Sequence, residues 1–194
     1  MHALYTIALA AATLGAAARP VAPVVPAPPQ SLAGVTMPDQ VEVDGRRLVL
    51  NGMALRKKAI FKVYVAGLYL PASERSAERI LSADAPRRVV MQFLRDVDRE
   101  KMCEAWTEGL AANTPNASPA LRQQFATLCG WMEDIREGEQ FAFTYVPGTG
   151  TRVDVRGKPK GTLEGKAFAD ALFAVWIGQK PGPGEDFKRA LLKG

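Results

Sequence analysis

Histidine is almost absent from this sequence, whose one imidazole belongs to His2, directly before an apolar stretch from Ala3 to Leu14. A short apolar stretch followed by small residues is typical of a cleavable secretory signal peptide, and it falls below the roughly 20 residues that a membrane helix needs. We therefore expect residues 1–18 to be a signal peptide, the protein to be periplasmic or secreted, and no segment to span a membrane. The mature chain would then lack imidazole, which excludes Ser-His and Cys-His catalysis, histidine general bases and most zinc sites.

Cysteine is also scarce, since Cys103 and Cys129 are the only two. One lies in the first turn of a predicted helix and the other at the end of the next helix. In an exported protein such a pair is typically a disulfide, whereas in the cytosol both would be small buried apolar residues. Two distant cysteines without histidine make no metal site, so we expect neither a bound metal nor a cofactor.

The chain has no long block of charge of one sign. Its 25 basic and 20 acidic residues give a net charge of +5, and the basic residues are scattered except for Arg56 to Lys58. Nucleic-acid binding would need a clustered basic stripe with stacking aromatics, so we expect no nucleic-acid partner. A mildly basic surface suits an anionic ligand or an anionic membrane surface equally well.

A proline-rich segment separates the apolar N-terminus from the rest of the chain. Five prolines lie between Pro20 and Pro29, and such a segment cannot pack as a helix or a central strand. We predict that residues 19–33 form a stiff Pro/Ala-rich linker and that residues 34–194 form one domain. About 160 residues are enough for a sizeable core, and the sequence contains no internal repeat and no second linker.

The pattern of the domain predicts an α+β fold. Strands are predicted at 41–43, 47–50, within 55–70, at 87–94, 140–146 and 151–156, with a short T-L-E strand after a G-K-P-K-G turn. Helices are predicted at 76–82, from Asp98 to Ala112, from Ser118 to Met132, at 165–177 and at 185–192. The sum is a large, mostly antiparallel sheet with helices packed on one face.

The segment from Leu50 to Leu70 pairs an arginine, Arg56, with a tyrosine, Tyr64, inside strand-forming sequence. In one unbroken strand these two residues would lie about 26 Å apart, at about 3.3 Å per residue. They can share a ligand only if the chain folds back between them. Their structural alternatives are a surface arginine and a phenol whose hydroxyl bonds a backbone carbonyl, while Phe61, Val63 and Tyr69 are expected to pack in the core.

Two stretches resemble the chalcone isomerase-like family, in its bacterial exported branch. They are R-K-K-A-I-F-K-V-Y-V-A-G-L-Y-L from Arg56 and F-A-D-A-L-F-A-V-W-I-G-Q-K-P-G-P-G-E-D-F-K-R-A-L-L-K-G from Phe168, and the similarity extends from about Val35 to the C-terminus. The resemblance implies an open-faced β-sandwich, with a large antiparallel sheet, a layer of helices and a ligand cleft between them. Members of the family are either isomerases that close a flavanone ring or fatty-acid-binding proteins that hold an acyl chain in the cleft.

The resemblance also assigns residues. Arg56 matches the arginine that both kinds of member share, and Tyr64 matches a strand position that carries threonine in the isomerases and tyrosine in the fatty-acid binders. The isomerases place a tyrosine and an asparagine early in the first long helix, where D-R-E-K-M-C-E-A offers neither, and a threonine or serine where this chain has Val175. The resemblance therefore implies a ligand site containing Arg56, Tyr64 and Val175.

Three functions remain open from the sequence. The first is a non-catalytic binder of a fatty acid or similar small amphiphilic carboxylate, with Arg56 and Tyr64 as the anion anchor, which predicts a long apolar cavity ending at Arg56. The second is an isomerase (intramolecular lyase) in which Arg56 and Tyr64 are catalytic and stabilise a cyclising phenolate, which predicts a short polar cleft. The third is an interaction module of the cell envelope, which predicts no continuous cavity.

Overall fold

The computed structural model describes residues 29–194, so the expectations for the signal peptide and for most of the linker lie outside the described residues. The strands are β1 Gln30–Leu32, β2 Val35–Met37, β3 Gln40–Val43, β4 Arg46–Lys58, β5 Phe61–Leu70, β6 Arg87–Phe93, β7 Gln140–Val146, β8 Gly150–Val155 and β9 Lys158–Leu163. The helices are α1 Ala77–Ser82, α2 Arg99–Asn113, α3 Pro119–Trp131, α4 Lys166–Ile177 and α5 Glu185–Leu191. None of the helices in this part of the chain has the length and apolar character of a membrane span.

Strands β3 to β9 form a curled seven-stranded antiparallel sheet in sequence order, like a half-barrel. One face carries the main core, which includes side chains from all five helices. The other face carries a smaller core that the β1–β2 hairpin covers, with Val35 and Met37 packed against Leu48 and Tyr69. The predicted α+β fold, with a large antiparallel sheet and its helices on one face, is confirmed.

Secondary structure within residues 29–194 begins with β1 at Gln30, four residues before the predicted start of the domain at residue 34. Residues of β1 pair with β2 in an antiparallel register that runs from Gln30 opposite Met37 to Leu32 opposite Val35. Pairing becomes possible because the last proline of the linker is Pro29, and a chain without proline can donate its backbone N–H groups to a ladder.

Two strand boundaries also differ from the prediction. The predicted strand at 47–50 continues without a break to Lys58, because the ladder absorbs an irregularity between Leu50 and Gly52 instead of ending there. The predicted G-K-P-K-G turn is mostly strand β9, and the chain turns earlier, at Arg156 and Gly157. Both residues have positive φ, 54° and 72°, which is the geometry of a tight two-residue hairpin.

The central helices begin where the sequence predicts. Helix α2 follows Asp98, and helix α3 follows Ser118, whose hydroxyl accepts a hydrogen bond from the Leu121 backbone N–H at 3.1 Å. A disulfide joins Cys103 of α2 to Cys129 of α3, with the two Cα atoms 5.2 Å apart. The predicted pairing is confirmed, and it fixes α3 beside the helix that forms part of the candidate site.

Candidate functional site

The β4–β5 hairpin brings Arg56 and Tyr64 together. The chain turns at Ala59 and Ile60, and Arg56 and Tyr64 are directly opposite each other across the two strands. The chain therefore folds back between them, which is the condition that the sequence sets for a shared ligand. Because residues directly opposite on antiparallel strands have Cβ atoms about 5 Å apart on one face, the guanidinium and the phenol point to the same side of the sheet.

A β-bulge sits next to this pair. Lys57 pairs with Lys62, but Arg56 pairs with Tyr64, so Val63 is the extra residue on β5. The bulge breaks the simple alternation of the strand, with the result that both Val63 and Tyr64 line the same cavity. The expectation that Phe61 packs in the core is wrong, since 54% of it is exposed, whereas Tyr69 is buried as predicted.

The cavity has a volume of about 570 Å³ and lies between the hairpin, strand β6 and helices α2 and α4. This volume is typical of small-molecule sites, which range from about 300 to 1,000 Å³. Its inner wall is apolar and includes Met91, Phe93, Met102, Trp106, Val175 and Trp176. Its charged lining consists of five cationic side chains, Arg56, Lys58, Arg95, Lys101 and Lys180, and two carboxylates, Asp96 and Glu108. The cavity therefore combines an apolar wall with an excess of positive charge.

Arg56 is half-buried and is held by the loop between α4 and α5. Its Nη1 donates to the Pro183 carbonyl oxygen at 2.9 Å. The same loop is tied down by hydrogen bonds from Gly182 N to Val175 O and from Gly184 N to Pro181 O, each 2.9 Å long. A guanidinium has five N–H donors in a rigid fork, so one bond to Pro183 orients it and leaves donors for a ligand.

Tyr64 is buried and packs between two aromatic rings. Its ring centroid lies 5.6 Å from that of Phe93 and 5.8 Å from that of Phe187. Burial raises the pKa of the Tyr64 hydroxyl to about 12, although the Trp176 indole N–H and the Arg56 charge lower it in part. The hydroxyl is protonated at neutral pH, as in any tyrosine of ordinary pKa, and burial extends this into alkaline solution, so it can donate a hydrogen bond to an anion.

The alternative role for Tyr64 was a hydroxyl that bonds a backbone carbonyl. In the structure a different tyrosine makes such a bond. Tyr69, on the opposite face of the sheet, donates its hydroxyl to the Pro38 carbonyl at 3.0 Å. Within residues 29–194 the Tyr64 hydroxyl makes no such bond, and the polar side chains that act on its pKa are Trp176 and Arg56. The indole N–H of Trp176 is itself buried without a hydrogen bond of normal geometry.

Val175 joins Arg56 and Tyr64 in the lining of the cavity. It lies on α4, 3% exposed, against Gly109 of α2, where a Cβ would come within 2.7 Å of the valine side chain. The structure therefore brings together all three residues that the sequence nominated for a ligand site. Among residues 29–194, no group of three or more His, Cys, Asp or Glu side chains is arranged to hold a metal ion.

Sequence reasoning missed several residues of the cavity. Met91 and Phe93 could have been found, because they share one parity of the apolar strand β6. Arg95, Lys101 and Lys180 carried no signal, since they lie after a strand, in a helix and after another helix, and each is an ordinary surface cation in its own segment. These three residues contribute most of the excess positive charge.

The raised pKa of Tyr64 predicts a loss of stability in alkali. The tyrosine of the unfolded chain loses its proton near pH 10, but the folded Tyr64 keeps it until about pH 12, so between these values the unfolded state is favoured as pH rises. The free energy of unfolding should fall by on the order of 1 kcal/mol per pH unit for this residue. Urea unfolding followed by circular dichroism at pH 9, 10.5 and 11.5 measures the slope, and Tyr64→Phe should reduce it. Lysine ionisation contributes equally to both slopes. Equal slopes in the two proteins would therefore contradict the raised pKa of Tyr64.

No curated protein matches this chain in sequence. Among solved structures, a fatty-acid binding protein from Arabidopsis thaliana is similar with a TM-score of 0.69 and 17% sequence identity, covering 86% of this chain and 96% of the plant protein. At this identity the likeness shows the fold alone. The family model for chalcone isomerase-like proteins matches residues 29–193, and the chain therefore belongs to the chalcone isomerase-like family.

Proposed function

We propose that this protein is a non-catalytic binder of a fatty acid or a similar small amphiphilic carboxylate. The observation that carries the proposal is the direct cross-strand pairing of Arg56 and Tyr64 in the lining of an apolar cavity of about 570 Å³. The carboxylate lies at Arg56 and Tyr64, and the acyl chain lies along the wall that includes Val175. The fatty-acid-binding function of the plant protein with the same fold supports this choice of ligand class.

The two polar residues complement each other chemically. Arg56 supplies a permanent charge with two parallel N–H donors that match a carboxylate, and Tyr64 supplies a neutral O–H donor. The five cationic side chains of the lining outnumber the two carboxylates, which favours an anion over a neutral or cationic ligand. The apolar wall contributes affinity through burial of the chain of the ligand.

The isomerase is the second candidate, and one observation favours it. A protonated phenol beside a guanidinium is also an arrangement that stabilises a developing oxyanion, so Arg56 and Tyr64 would then be the catalytic residues. The wall around them argues for the binder, because Val175 stands where the isomerases carry a hydroxyl. The interaction module is disfavoured, since it predicted no continuous cavity.

The proposal includes export to the periplasm or to the cell exterior, in a bacterial exported branch of the family. The Cys103–Cys129 disulfide supports it, because structural disulfides form and persist mainly in oxidising compartments. Mass determination of the protein recovered from the periplasm tests it. We expect an N-terminus near residue 19 and two fewer hydrogen atoms than the reduced chain.

The binding proposal is tested with two ligands of equal chain length, laurate and dodecanol, which differ in the carboxylate. Isothermal titration should give tighter binding of laurate. Arg56→Ala should weaken laurate binding roughly 10- to 100-fold, which corresponds to the loss of a charge-assisted hydrogen bond of about 1.5–3 kcal/mol. The same variant should leave dodecanol binding nearly unchanged, because the alcohol cannot use the positive charge fully.

Arg47→Ala is the matched control, since Arg47 is an exposed arginine on the same strand and does not line the cavity. It should bind both ligands like the unmodified protein. If Arg56→Ala and Arg47→Ala behave alike, the anchor is wrongly assigned. If neither ligand binds but the protein cyclises a chalcone in an Arg56-dependent manner, the isomerase replaces the binder.

A further inference from the structure

The tip of the β4–β5 hairpin exposes two large apolar side chains in succession. Ile60 is 86% exposed and Phe61 is 54% exposed, and they are the two exposed large hydrophobic residues in the described part of the chain. Single exposed apolar residues are common on protein surfaces, but two adjacent ones at the end of a projecting hairpin form a patch. Neither side chain belongs to the two hydrophobic cores. Their position therefore points to a contact outside the molecule.

Cations surround this patch. Lys57, Lys58 and Lys62 are all exposed on the same hairpin, and the Arg95 guanidinium carbon lies 4.7 Å from the centroid of the Phe61 ring. None of the salt bridges among residues 29–194 uses any of these four cations. The hairpin tip therefore combines exposed apolar side chains with cations that form no salt bridge within residues 29–194.

We propose that the hairpin tip is a docking surface for an anionic phospholipid membrane. Ile60 and Phe61 enter the boundary between headgroups and acyl chains, while Lys57, Lys58 and Lys62 contact lipid phosphates. This combination of basic and bulky apolar residues is what holds peripheral proteins at a membrane interface. The proposal rests on the exposure and charge of the tip and is independent of the ligand of the cavity.

The size of the patch favours a membrane over a protein partner. A specific protein interface buries about 800 Å² on each side, which is far more than the tip of a two-residue turn presents. A membrane needs no matching shape, because the lipids rearrange around the inserted side chains. The location adds a functional argument. Lys58 and Phe61 also line the cavity, so docking would turn this side of the cavity toward the lipid.

Vesicle co-sedimentation of the full chain tests the proposal. Vesicles of mixed phosphatidylglycerol and phosphatidylcholine are compared with vesicles of phosphatidylcholine alone. We expect the unmodified protein to bind the anionic vesicles at least about tenfold more tightly, since each cation near the surface contributes roughly fivefold. The double variant Ile60→Ser/Phe61→Ser should weaken binding to the anionic vesicles about tenfold, and the triple variant Lys57→Gln/Lys58→Gln/Lys62→Gln should nearly abolish it.

The matched control removes three exposed cations at the end of β4 and β5 opposite the tip, Arg46→Gln/Arg47→Gln/Arg75→Gln. It has the same net charge as the lysine variant and should keep most of the binding. Any contribution of residues 1–28 is common to all variants and cancels in the comparison. The proposal fails if the unmodified protein does not bind anionic vesicles, if the serine variant binds like the unmodified protein, or if the control loses as much binding as the lysine variant.

Discussion

Replacing Asp170 by alanine is expected to lower the free energy of unfolding by about 3 kcal/mol, because the change leaves a buried charge without its partner. The charge belongs to Arg87, which is 1% exposed and whose Nη2 donates to the Asp170 carboxylate. Its Nη1 donates to the Ile80 carbonyl at 2.8 Å, and the rings of Tyr145 and Phe173 lie 5.0 and 4.9 Å from its guanidinium carbon.

The expected value is at the low end of the usual range of about 3–5 kcal/mol for breaking a buried pair. The Asp170 side chain is one-third exposed, so water can enter where the carboxylate was and solvate part of the charge. The remaining contacts of Arg87 compensate only a little, because a carbonyl and two aromatic rings cannot neutralise a guanidinium. The loss should still exceed that of an exposed ion pair several-fold.

Urea unfolding followed by circular dichroism measures the effect, with two further variants for comparison. Asp186→Ala removes a carboxylate that is 94% exposed and paired with Arg189, and should cost less than about 1 kcal/mol. Adding Arg87→Met to Asp170→Ala should recover most of the loss, since an apolar side chain in place of a buried ion is often neutral or stabilising. A loss no larger in Asp170→Ala than in Asp186→Ala would show that Arg87 does not need its carboxylate.

Removing the disulfide should cost a similar amount, about 3.5 kcal/mol. The bridge joins Cys103 and Cys129, which are 26 residues apart, and a closed loop of this length restricts the unfolded chain by about 3.5 kcal/mol in the loop-entropy model. The comparison is between the oxidised protein and the double variant Cys103→Ala/Cys129→Ala. Both cysteines are half-buried, so the alanines leave only small cavities of their own.

The position of the disulfide links it to the site. Helix α2 carries Met102, Trp106 and Gly109 into the wall of the cavity, and the bridge holds the N-terminal half of that helix to α3. Equilibrium unfolding in urea, with and without reductant, provides the measurement. A difference below about 1 kcal/mol between the oxidised protein and the double variant would contradict the predicted stabilisation.

Several elements of the fold were predictable because their signals are local. Ser118 followed by Pro119 starts a helix through the hydroxyl of one residue and the fixed φ of the next, and α3 begins there. Asp44-Gly45 makes a tight turn because both residues tolerate positive φ, and it joins β3 to β4. Signals of this kind involve neighbours in sequence and do not depend on the rest of the chain.

The errors occurred where a local signal competed with tertiary contacts. Asn51 and Gly52 indicate a break in a strand, yet β4 continues through them. The Asn51 amide donates to the Leu191 carbonyl at 2.8 Å, and Gly52 permits the close approach of α5, since a Cβ there would lie 2.7 Å from the Leu191 oxygen. The packing of α5 against β4 therefore requires an asparagine and a glycine at these two positions. The same two residue types indicated a break in the strand.

The residues of the candidate site also fall into two groups, those that the sequence could nominate and those that it could not. Arg56 and Tyr64 could be nominated from the sequence, because the resemblance to a family marks both positions. Arg95, Lys101 and Lys180 could not, since three separate segments carry them to one cavity and no local pattern distinguishes them from solvated cations.

The sequence by itself determined the class of fold, the places where most helices and strands begin and the pairing of the two cysteines, and its resemblance to a family nominated Arg56 and Tyr64. The class of fold and the starts of the elements follow from backbone preferences and apolar periodicity, which act within short segments, and the cysteine pairing follows from the rarity of cysteine. Only the tertiary structure decided that Arg56 faces Tyr64 and that Ile60 and Phe61 remain outside the core. It also decided that the cavity has an apolar inner wall and more cations than carboxylates in its lining. The physical reason is that burial, pKa and net local charge depend on side chains brought together from distant segments.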